Sequence, residues 1–390
     1  MRDIVIAEAV RSPIGRRNGG LSTMHAVDLL STVQEELIRR SGIDPNEVGQ
    51  VIGGCVTQVG MQAGNVTRGA WLTAGLPLEV PATTIDAQCG SSQQATNLAT
   101  SLVASGVVDV AVGCGIETMS RLPLGANRPP DLAFTASRTR VYPYEATSQF
   151  EGAERIADKW GISRDDTDAF GLQSQQRAQR AWAEGRFDTQ VVPIDAPDLD
   201  DEGKATGTTH RVDRDEGLRE TNLEALAKLK PVARPDGCHT AGTSSQISDG
   251  AGAVLVMTAE KAAELGVQPL AQVVDTCLVG SDPTLMLTGP IPATERILAR
   301  NDLKIDDIDL VEINEAFASV VLAWQKEFDP DLERVNPNGG AIALGHPVGG
   351  TGAILLTKAA HELKRTGGEF ALITMCCGGG LGTGTLLRRL

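Results

Sequence analysis

Four short segments of this chain carry residue types that could act together chemically. In the first, Asp86-Ala87-Gln88-Cys89-Gly90-Ser91-Ser92, a β-like run from Ala82 to Ile85 gives way to small residues and then a helical stretch. This puts Cys89 at a helix N-terminus, where free N–H groups and the helix dipole favour thiolate and lower a thiol pKa from about 8.5. A nucleophile would benefit, although a lone Cys commonly serves as a small buried hydrophobe. In the second, Asn338 to Gly352, Gly345 and Pro347 flank His346. Glycine lets backbone approach a ligand and proline fixes the chain, so the imidazole could be a positioned base. A hydrogen-bonded His in a glycine-rich turn and a phosphate loop are the other readings. Neither GxxxxGK[ST] nor GxGxxG is satisfied there or at Gly378 to Gly384, which demotes nucleotide binding. The third, Met375-Cys376-Cys377-Gly378-Gly379-Gly380, runs a strand into glycines and offers a thiol proton carrier beside oxyanion donors, or simply two packed cysteines. Strand alternation lets only one of the two thiols face a site. The fourth, Glu312-Ile313-Asn314-Glu315-Ala316-Phe317-Ala318, supplies either helix caps or an Asn that orients a water.

The elements that must position these residues are spread over 390 residues, more than one core can use, because single cores stop growing near about 250 to 300 residues. Two or more lobes are expected. Fifty acidic against 35 basic side chains give a net charge of −15, which argues against a nucleic-acid backbone or an anionic membrane as partner. Seven scattered Cys and a start, Arg2-Asp3-Ile4-Val5-Ile6, unlike a signal segment fit a reducing cytoplasm. With no CxxC, no HExxH and five dispersed His, no metal is expected.

Four windows of 18 residues or more lack every Asp, Glu, Lys and Arg: Val48 to Thr67, Ala87 to Val108, Val335 to Thr357 and Phe370 to Leu387. They are too rich in Gly, Ser, Thr, Asn and Gln for a lipid-facing helix of about 20 residues, and read as segments buried in protein. Strands at Ile4 to Ala7, Val51 to Ile52 and Val108 to Val112 alternate with helices at Ala26 to Arg40 and Ala95 to Ser105, implying an α/β fold with a doubly wound sheet. The C-terminal part repeats the rhythm, with strands at Ile308 to Ile313 and Phe370 to Met375 around a helix from Gly350 to Lys364. Pro45 to Val51 and Ile305 to Val311 are similar acidic turns feeding apolar strands, the trace of a duplicated unit of roughly 120 residues. Between the two, Arg121 to about Ser245 reads as an inserted lid, with a Pro-rich Arg128-Pro129-Pro130, an amphipathic helix from Asp165 to Trp182 and a charged stretch from Asp195 to Glu224.

Taken together, these blocks resemble the thiolase family along essentially the whole chain: the Cys89 segment, Asn314-Glu315-Ala316-Phe317, Gly345-His346-Pro347 and Cys376 to Gly380 match its signature blocks in order. Within that family, Gln149-Phe150-Glu151 and Thr240 to Gln246 look most similar to actinobacterial enzymes that shorten sterol side chains. The resemblance implies two βαβαβαββ halves, 1–120 plus 246–268 and 269–390, forming a five-layered αβαβα core, with 121–245 as the inserted lid. It implies thiolysis of 3-ketoacyl-CoA in β-oxidation: Cys89 attacks the keto carbonyl, His346 takes the thiol proton, and Cys376 protonates the departing acetyl-CoA (or propionyl-CoA) enolate. One oxyanion site would use His346 and a water on Asn314, the other the backbone N–H groups of Cys89 and Gly378. CoA is then a substrate and no cofactor is needed, with Ser245 contacting the pantetheine and Arg219 approaching the nucleotide end. A homodimer or homotetramer is implied as well.

Many short-chain members carry His-Met-Gly before Thr-Ala-Glu where this chain reads Ser148-Gln149-Phe150-Glu151-Gly152-Ala153-Glu154, which favours a bulkier, steroid-bearing acyl chain. An acetoacetyl-CoA thiolase, a decarboxylating ketoacyl synthase and a non-enzymatic acyl-CoA-binding scaffold remain as alternatives. The presence of Cys376 speaks against the synthase.

Overall fold

The computed structural model describes residues 2–127, 145 and 147–390, so the Arg128-Pro129-Pro130 stretch of the insert lies outside the described residues. The chain opens with β1 (Ile4–Arg11), a short β2 (Gly15–Arg16) and helix α1 (Ala26–Ser41), then β3 (Gln50–Gly54), α2 (Val66–Thr73) and β4 (Ala82–Ile85). Helix α3 (Ser91–Ala104) and β5 (Val110–Thr118) follow. After β5 come α4 (Gln149–Trp160), α5 (Arg164–Ala183), the hairpin β6 (Ile194–Leu199) and β7 (Ala205–Val212), and α6 (Leu223–Ala227). The chain re-enters the main sheet with β8 (Ser248–Thr258) and continues through α7 (Ala259–Glu264), β9 (Ala271–Gly280), α8 (Pro290–Asn301), β10 (Leu310–Ile313) and α9 (Ala318–Phe328). It ends with α10 (Thr351–Thr366), β11 (Phe370–Cys377) and β12 (Leu381–Arg388).

The main sheet runs β10-β11-β12-β9-β1-β8-β5-β3-β4, with β2 on β8, and is symmetric about its centre. There β1 and β9 pair antiparallel, Ile4 opposite Val273. Outward from β1, β8 and β5 continue antiparallel and β3 then pairs parallel to β5. Outward from β9, β12, β11 and β10 repeat those relations. The parallel partner of β3 is the four-residue β4, whereas β10 keeps only a single parallel bridge, Val311 to Val335.

Alternating side chains send the sheet's two faces into different cores. From β1, Val5 and Ala7 join Leu29 and Leu37 of α1 and Trp71 of α2. Ile4 and Ile6 point the other way, into a core shared with Ala95 and Ala99 of α3, Ala353 and Leu356 of α10, and Ile373 of β11. On the far side of the C-terminal strands, Leu372 and Leu386 meet Ile297 of α8 and Trp324 of α9. The result is five layers, αβαβα, with α3 and α10 in the middle. Strands covered on both faces read as unbroken apolar runs, as β5 and β11 do.

The charge-free windows fall on this central layer. Helix α3 carries no ionisable side chain, and its buried amides bond across the layer: Gln93 Nε2 donates to Ile373 O and Thr385 Oγ1, both at 2.9 Å. A charge there would lose its hydration without a partner, whereas an amide is satisfied by the facing strands. The abundance of glycine has a local reason too, because a Cβ on Gly352 of α10 would collide with Gln93 N of α3. The N-terminal turns of the two helices therefore touch, and Ala353 N–H donates to Ser92 Oγ at 2.9 Å.

Helix α3 starts at Ser91, earlier than the Ala95 read from hydrophobicity, because small polar residues build its first turn. The charged stretch from Asp195 to Glu224 contains the β6–β7 hairpin, whose inward residues Ile194 and Ala196 are buried. Arg11 of β1 and Asp215, both with fully buried side chains, join these middle residues to the sheet at 2.7 Å.

Candidate active site

Cys89 sits on a turn with unusual backbone, because Gln88 before it adopts φ 53°, in the left-handed region. The turn is held by Gln88 N–H to Asp86 Oδ1 (2.7 Å), Ala87 N–H to Ser91 Oγ (2.9 Å) and Ser91 Oγ–H to Gln88 O (2.6 Å). A non-glycine residue held at positive φ costs about 1 to 3 kcal/mol and persists only where its surroundings over-determine it. The half-buried Cys89 is thereby presented to a cavity of about 450 Å³. Burial pushes its thiol up to about 11, although N–H groups of Gly378 and of Cys89 itself donate to the sulfur and pull in the other direction. The expected lowering at a helix N-terminus is thus outweighed by desolvation.

His346 lines the same cavity. Its Nδ1 lies 2.6 Å from Thr351 Oγ1, and that hydroxyl spends its proton on Pro347 O at 2.9 Å. Thr351 can then only accept, so Nδ1 carries the imidazole proton and Nε2 presents a lone pair. Asn314 Nδ2 faces that lone pair at 3.4 Å. Burial lowers the His346 pKa to about 4, which keeps the ring neutral and basic at neutral pH. Gly345 ahead of it has φ 117°, and a Cβ there would strike Ser248 Oγ, the group that also accepts His346 N–H at 3.1 Å.

The strand end of β11 separates its two cysteines. Cys376 packs with Leu287, Ala316 and Phe317, three residues of the cavity wall. Its thiol is pushed well above the ordinary range by burial and by the nearby sulfur charges of Cys89 and Cys377. Cys377 points the other way, into the central core, where a Cβ on Gly90 would meet its sulfur at 2.6 Å. Gly378 and Gly379 line the cavity directly.

Cys89, His346 and Gly378 therefore share one cavity, with Cys376 and Asn314 packed immediately behind it. Ser245 also lines it and fixes the wall through its N–H to Ala316 O at 2.9 Å. Arg219 does not line the cavity; it is exposed and donates to Gln246 Oε1, a lining residue, at 3.3 Å. Sequence reasoning reached His346 but gave no role to Thr351, although a Thr four residues after Pro347 at a helix start is where such an acceptor would sit. It also passed over Glu117, whose buried carboxylate gathers N–H groups of Val56, Thr57 and Gly349 at 3.0 to 3.1 Å and so ties loops from both halves beside the cavity. A lone acid at the end of an apolar strand was its signal.

Among the described residues one His/Cys/acid cluster has metal-ligand types, Glu154, Cys238 and His239, with ligand atoms within 4.8 Å of one another. Its hydrogen bonds use those atoms otherwise. His239 Nε2 accepts Ser319 N–H at 3.4 Å, which leaves the proton on Nδ1 for Glu154 Oε1 at 3.2 Å. Burial opposes ionisation of Glu154, but bonds from the His239 ring and from the Cys238 and His239 N–H groups hold it near about 2.

A cysteine, a neutral imidazole and convergent N–H donors around a mostly apolar cavity make an acyl-transfer enzyme. Residues 4–260 match the family model described as "Thiolase, N-terminal domain" and residues 267–389 match "Thiolase, C-terminal domain". The chain belongs to the thiolase family. It is 44% identical to the steroid 3-ketoacyl-CoA thiolase FadA6 of Mycobacterium tuberculosis, covering 100% of this chain and 95% of that protein. It is 40% identical to the β-ketoadipyl-CoA thiolase of Pseudomonas aeruginosa, with all of both chains covered. It is 38% identical to the acetyl-CoA acetyltransferase of Chromobacterium violaceum, over 99% of this chain and 100% of the other.

Two outcomes follow from the protonation states. Iodoacetamide alkylation of Cys89, mapped by mass spectrometry, should still be accelerating above pH 9, since the thiol titrates near about 11; a plateau near pH 7 would contradict the neutral thiol. The folded His346 protonates near about 4 against 6.5 when exposed, so the unfolded chain takes the proton first. Its contribution to stability is complete above pH 6.5 and about 3 kcal/mol is lost as pH falls through 4. Urea midpoints of the parent and His346→Asn should therefore depend differently on pH in that window.

Proposed function

We propose that this thiolase cleaves a 3-ketoacyl-CoA with free CoA through an acyl-enzyme on Cys89, and that its acyl chain is bulky and apolar. The observation that carries the reading is the convergence of Cys89, His346 and Gly378 on one cavity with Cys376 behind its wall. Attack by Cys89 sulfur on the keto carbonyl passes the thiol proton to His346 Nε2. The bond between C2 and C3 then breaks, the acyl group stays on sulfur, and the enolate of acetyl-CoA takes the Cys376 proton. CoA thiol next displaces the acyl group; its proton restores Cys376, and the proton on His346 returns to Cys89. N–H groups of Cys89 and Gly378, already directed at the sulfur, can serve the thioester oxyanion, and His346 with a water on Asn314 the enolate oxygen.

Val56, Met119, Leu124, Phe150, Ile247, Met286 and Leu287 make much of the lining apolar, and Phe150 stands edge-on to Phe317 at 5.5 Å. Such a wall suits the steroid-type acyl chain named for the mycobacterial relative better than an acetoacetyl group. Ser245 on the lining suits the pantetheine, and Arg219, through Gln246, the nucleotide end of CoA. CoA enters as substrate and no cofactor takes part. The thiols of Cys89 and Cys376 fit a reducing cytoplasm, and no helix among the described residues is long and apolar enough to cross a membrane. Strand β4 ends the sheet order beside exposed Leu72 and Leu78, a suitable edge for a second copy in a homodimer or homotetramer.

One observation favours a second reading, an acyl chain ending in a carboxylate, as the name β-ketoadipyl-CoA thiolase implies for a relative. Arg17 is the one Lys or Arg lining the cavity, and it makes no hydrogen bond or ion pair among the described residues. It rides a tight turn fixed by Gly19 N–H to Arg16 O (2.8 Å) and Asn18 N–H to Ser120 Oγ (2.9 Å).

Cys89→Ala should abolish thiolysis, whereas Cys376→Ala should cleave 3-ketoacyl-CoA at least about 10²-fold more slowly while still leaving some acylation of Cys89. Normal turnover by the second variant would remove Cys376 from the mechanism. Among substrates, a steroid side-chain 3-ketoacyl-CoA should exceed acetoacetyl-CoA in kcat/KM. If the second reading is right, 3-ketoadipyl-CoA should do so too and lose about tenfold in Arg17→Gln with acetoacetyl-CoA unchanged.

A further inference from the structure

Behind the site, on the side away from the substrate, lies an ion pair with an incomplete set of hydrogen bonds. Lys358 of α10 and Glu312 of β10 have side chains 1% and 0% exposed, and Nζ donates to Glu312 Oε2 at 2.8 Å and to Gly339 O at 2.7 Å. An ammonium has three N–H donors, so one is left over. Two buried acceptors nearby also lack a protein partner among the described residues, Asn314 Oδ1 and Glu312 Oε1. Between Lys358 and Asn314 is a small cavity of about 10 Å³, also bounded by Gly340, Gly345 and Thr351. That is the room of about one water molecule.

We infer that this cavity holds one ordered water, which accepts a hydrogen bond from Lys358 Nζ and donates one to Asn314 Oδ1, and that Lys358 is thereby a positioning residue for the reaction. The inference rests on the thiolase reading of the site. Its chemical content is the direction of the Asn314 amide. With Oδ1 satisfied from behind, Nδ2 must face the lone pair of His346 Nε2, where the 3.4 Å contact is found. The reversed amide would set an acceptor against an acceptor and withdraw a donor from the enolate site. The same cavity borders Thr351, so both groups that orient the imidazole, one at each nitrogen, touch the water's space.

An uncompensated Glu312 carboxylate could unfold a single variant, so the pair is removed together. Lys358→Met/Glu312→Gln should fold, as judged by circular dichroism, keep its KM for 3-ketoacyl-CoA within twofold, and lose about 10-fold to 10²-fold in kcat, up to the range of a lost oxyanion donor. Lys358→Gln/Glu312→Gln, which restores an N–H donor toward the cavity, should recover most of that loss. A crystal structure of the parent finer than about 1.5 Å should show density for a water within hydrogen-bond reach of both Lys358 Nζ and Asn314 Oδ1. Density without that water overturns the inference even if thiolysis is confirmed, as does a folded Met/Gln variant with parental kcat. A parent that has the water but no thiolase activity would overturn the assigned reaction and, with it, the catalytic role of Lys358.

Discussion

The contact between the first turns of α3 and α10 is the constraint on which this active site depends. Both helices are buried between two halves of the sheet, and their N-termini meet where Gly352 leaves no room for a Cβ above Gln93 and Ala353 N–H reaches Ser92 Oγ. Cys89 lies just before one helix and His346 just before the other. Residues far apart in sequence thus acquire a fixed separation from a helix crossing, whose geometry is set by packing rather than by loops. Gly115 serves the same crossing, since a Cβ there would meet both Ser92 and Gly349 O.

Placing the site at the centre of five layers determines its electrostatics. Burial penalises charge of either sign, so the thiol of Cys89 rises and the imidazole of His346 falls. The pair is thereby held neutral at rest. The N–H donors at Cys89 and Gly378 do not offset the burial of the resting sulfur, and in the proposed reaction they would serve the oxygen of the thioester. Preorganised dipoles of this kind act without reorganising at the moment of reaction.

Much of this was legible in the sequence, for physical reasons that vary along the chain. The charge-free windows marked the central layer because burial excludes ionisable groups whatever the local secondary structure. His346 stood out because glycines frame it, and Cys89 and Cys376 because each leads into a glycine-containing turn. Thr351, Glu117 and Lys358 did not stand out. Their roles depend on partners 5, 60 and 46 residues away, His346, Thr57 and Glu312, and an isolated Thr, Glu or Lys carries no sign of what it will face. The thiol pKa was misjudged for a related reason: the helix terminus is visible in the sequence, whereas the depth at which it is buried is a property of the assembled layers.

The symmetry of the sheet adds a final relation. Strand β4 leads into Cys89 and α3; its counterpart in the C-terminal half is the bridge at Val335, which leads into the segment carrying His346 and α10. Cys89 and His346, the proposed nucleophile and base, therefore occupy corresponding places in the two halves. The two halves differ in the element before each residue. The N-terminal one keeps a paired strand and a tight turn, which fixes a sulfur at the cavity edge. The C-terminal one gives up its strand for the glycine-rich segment 336–350, which folds over itself through bonds such as Leu344 N–H to Gly340 O at 2.8 Å. That exchange lets the imidazole be held at both nitrogens, by Thr351 from its own helix and by Asn314 from the end of β10. A symmetric pair of turns could present two similar groups to the centre, but acyl transfer needs unlike ones, a group that bonds to carbon and a group that carries its proton. A paired strand in one half against a single bridge in the other is the structural difference that accompanies this division of labour.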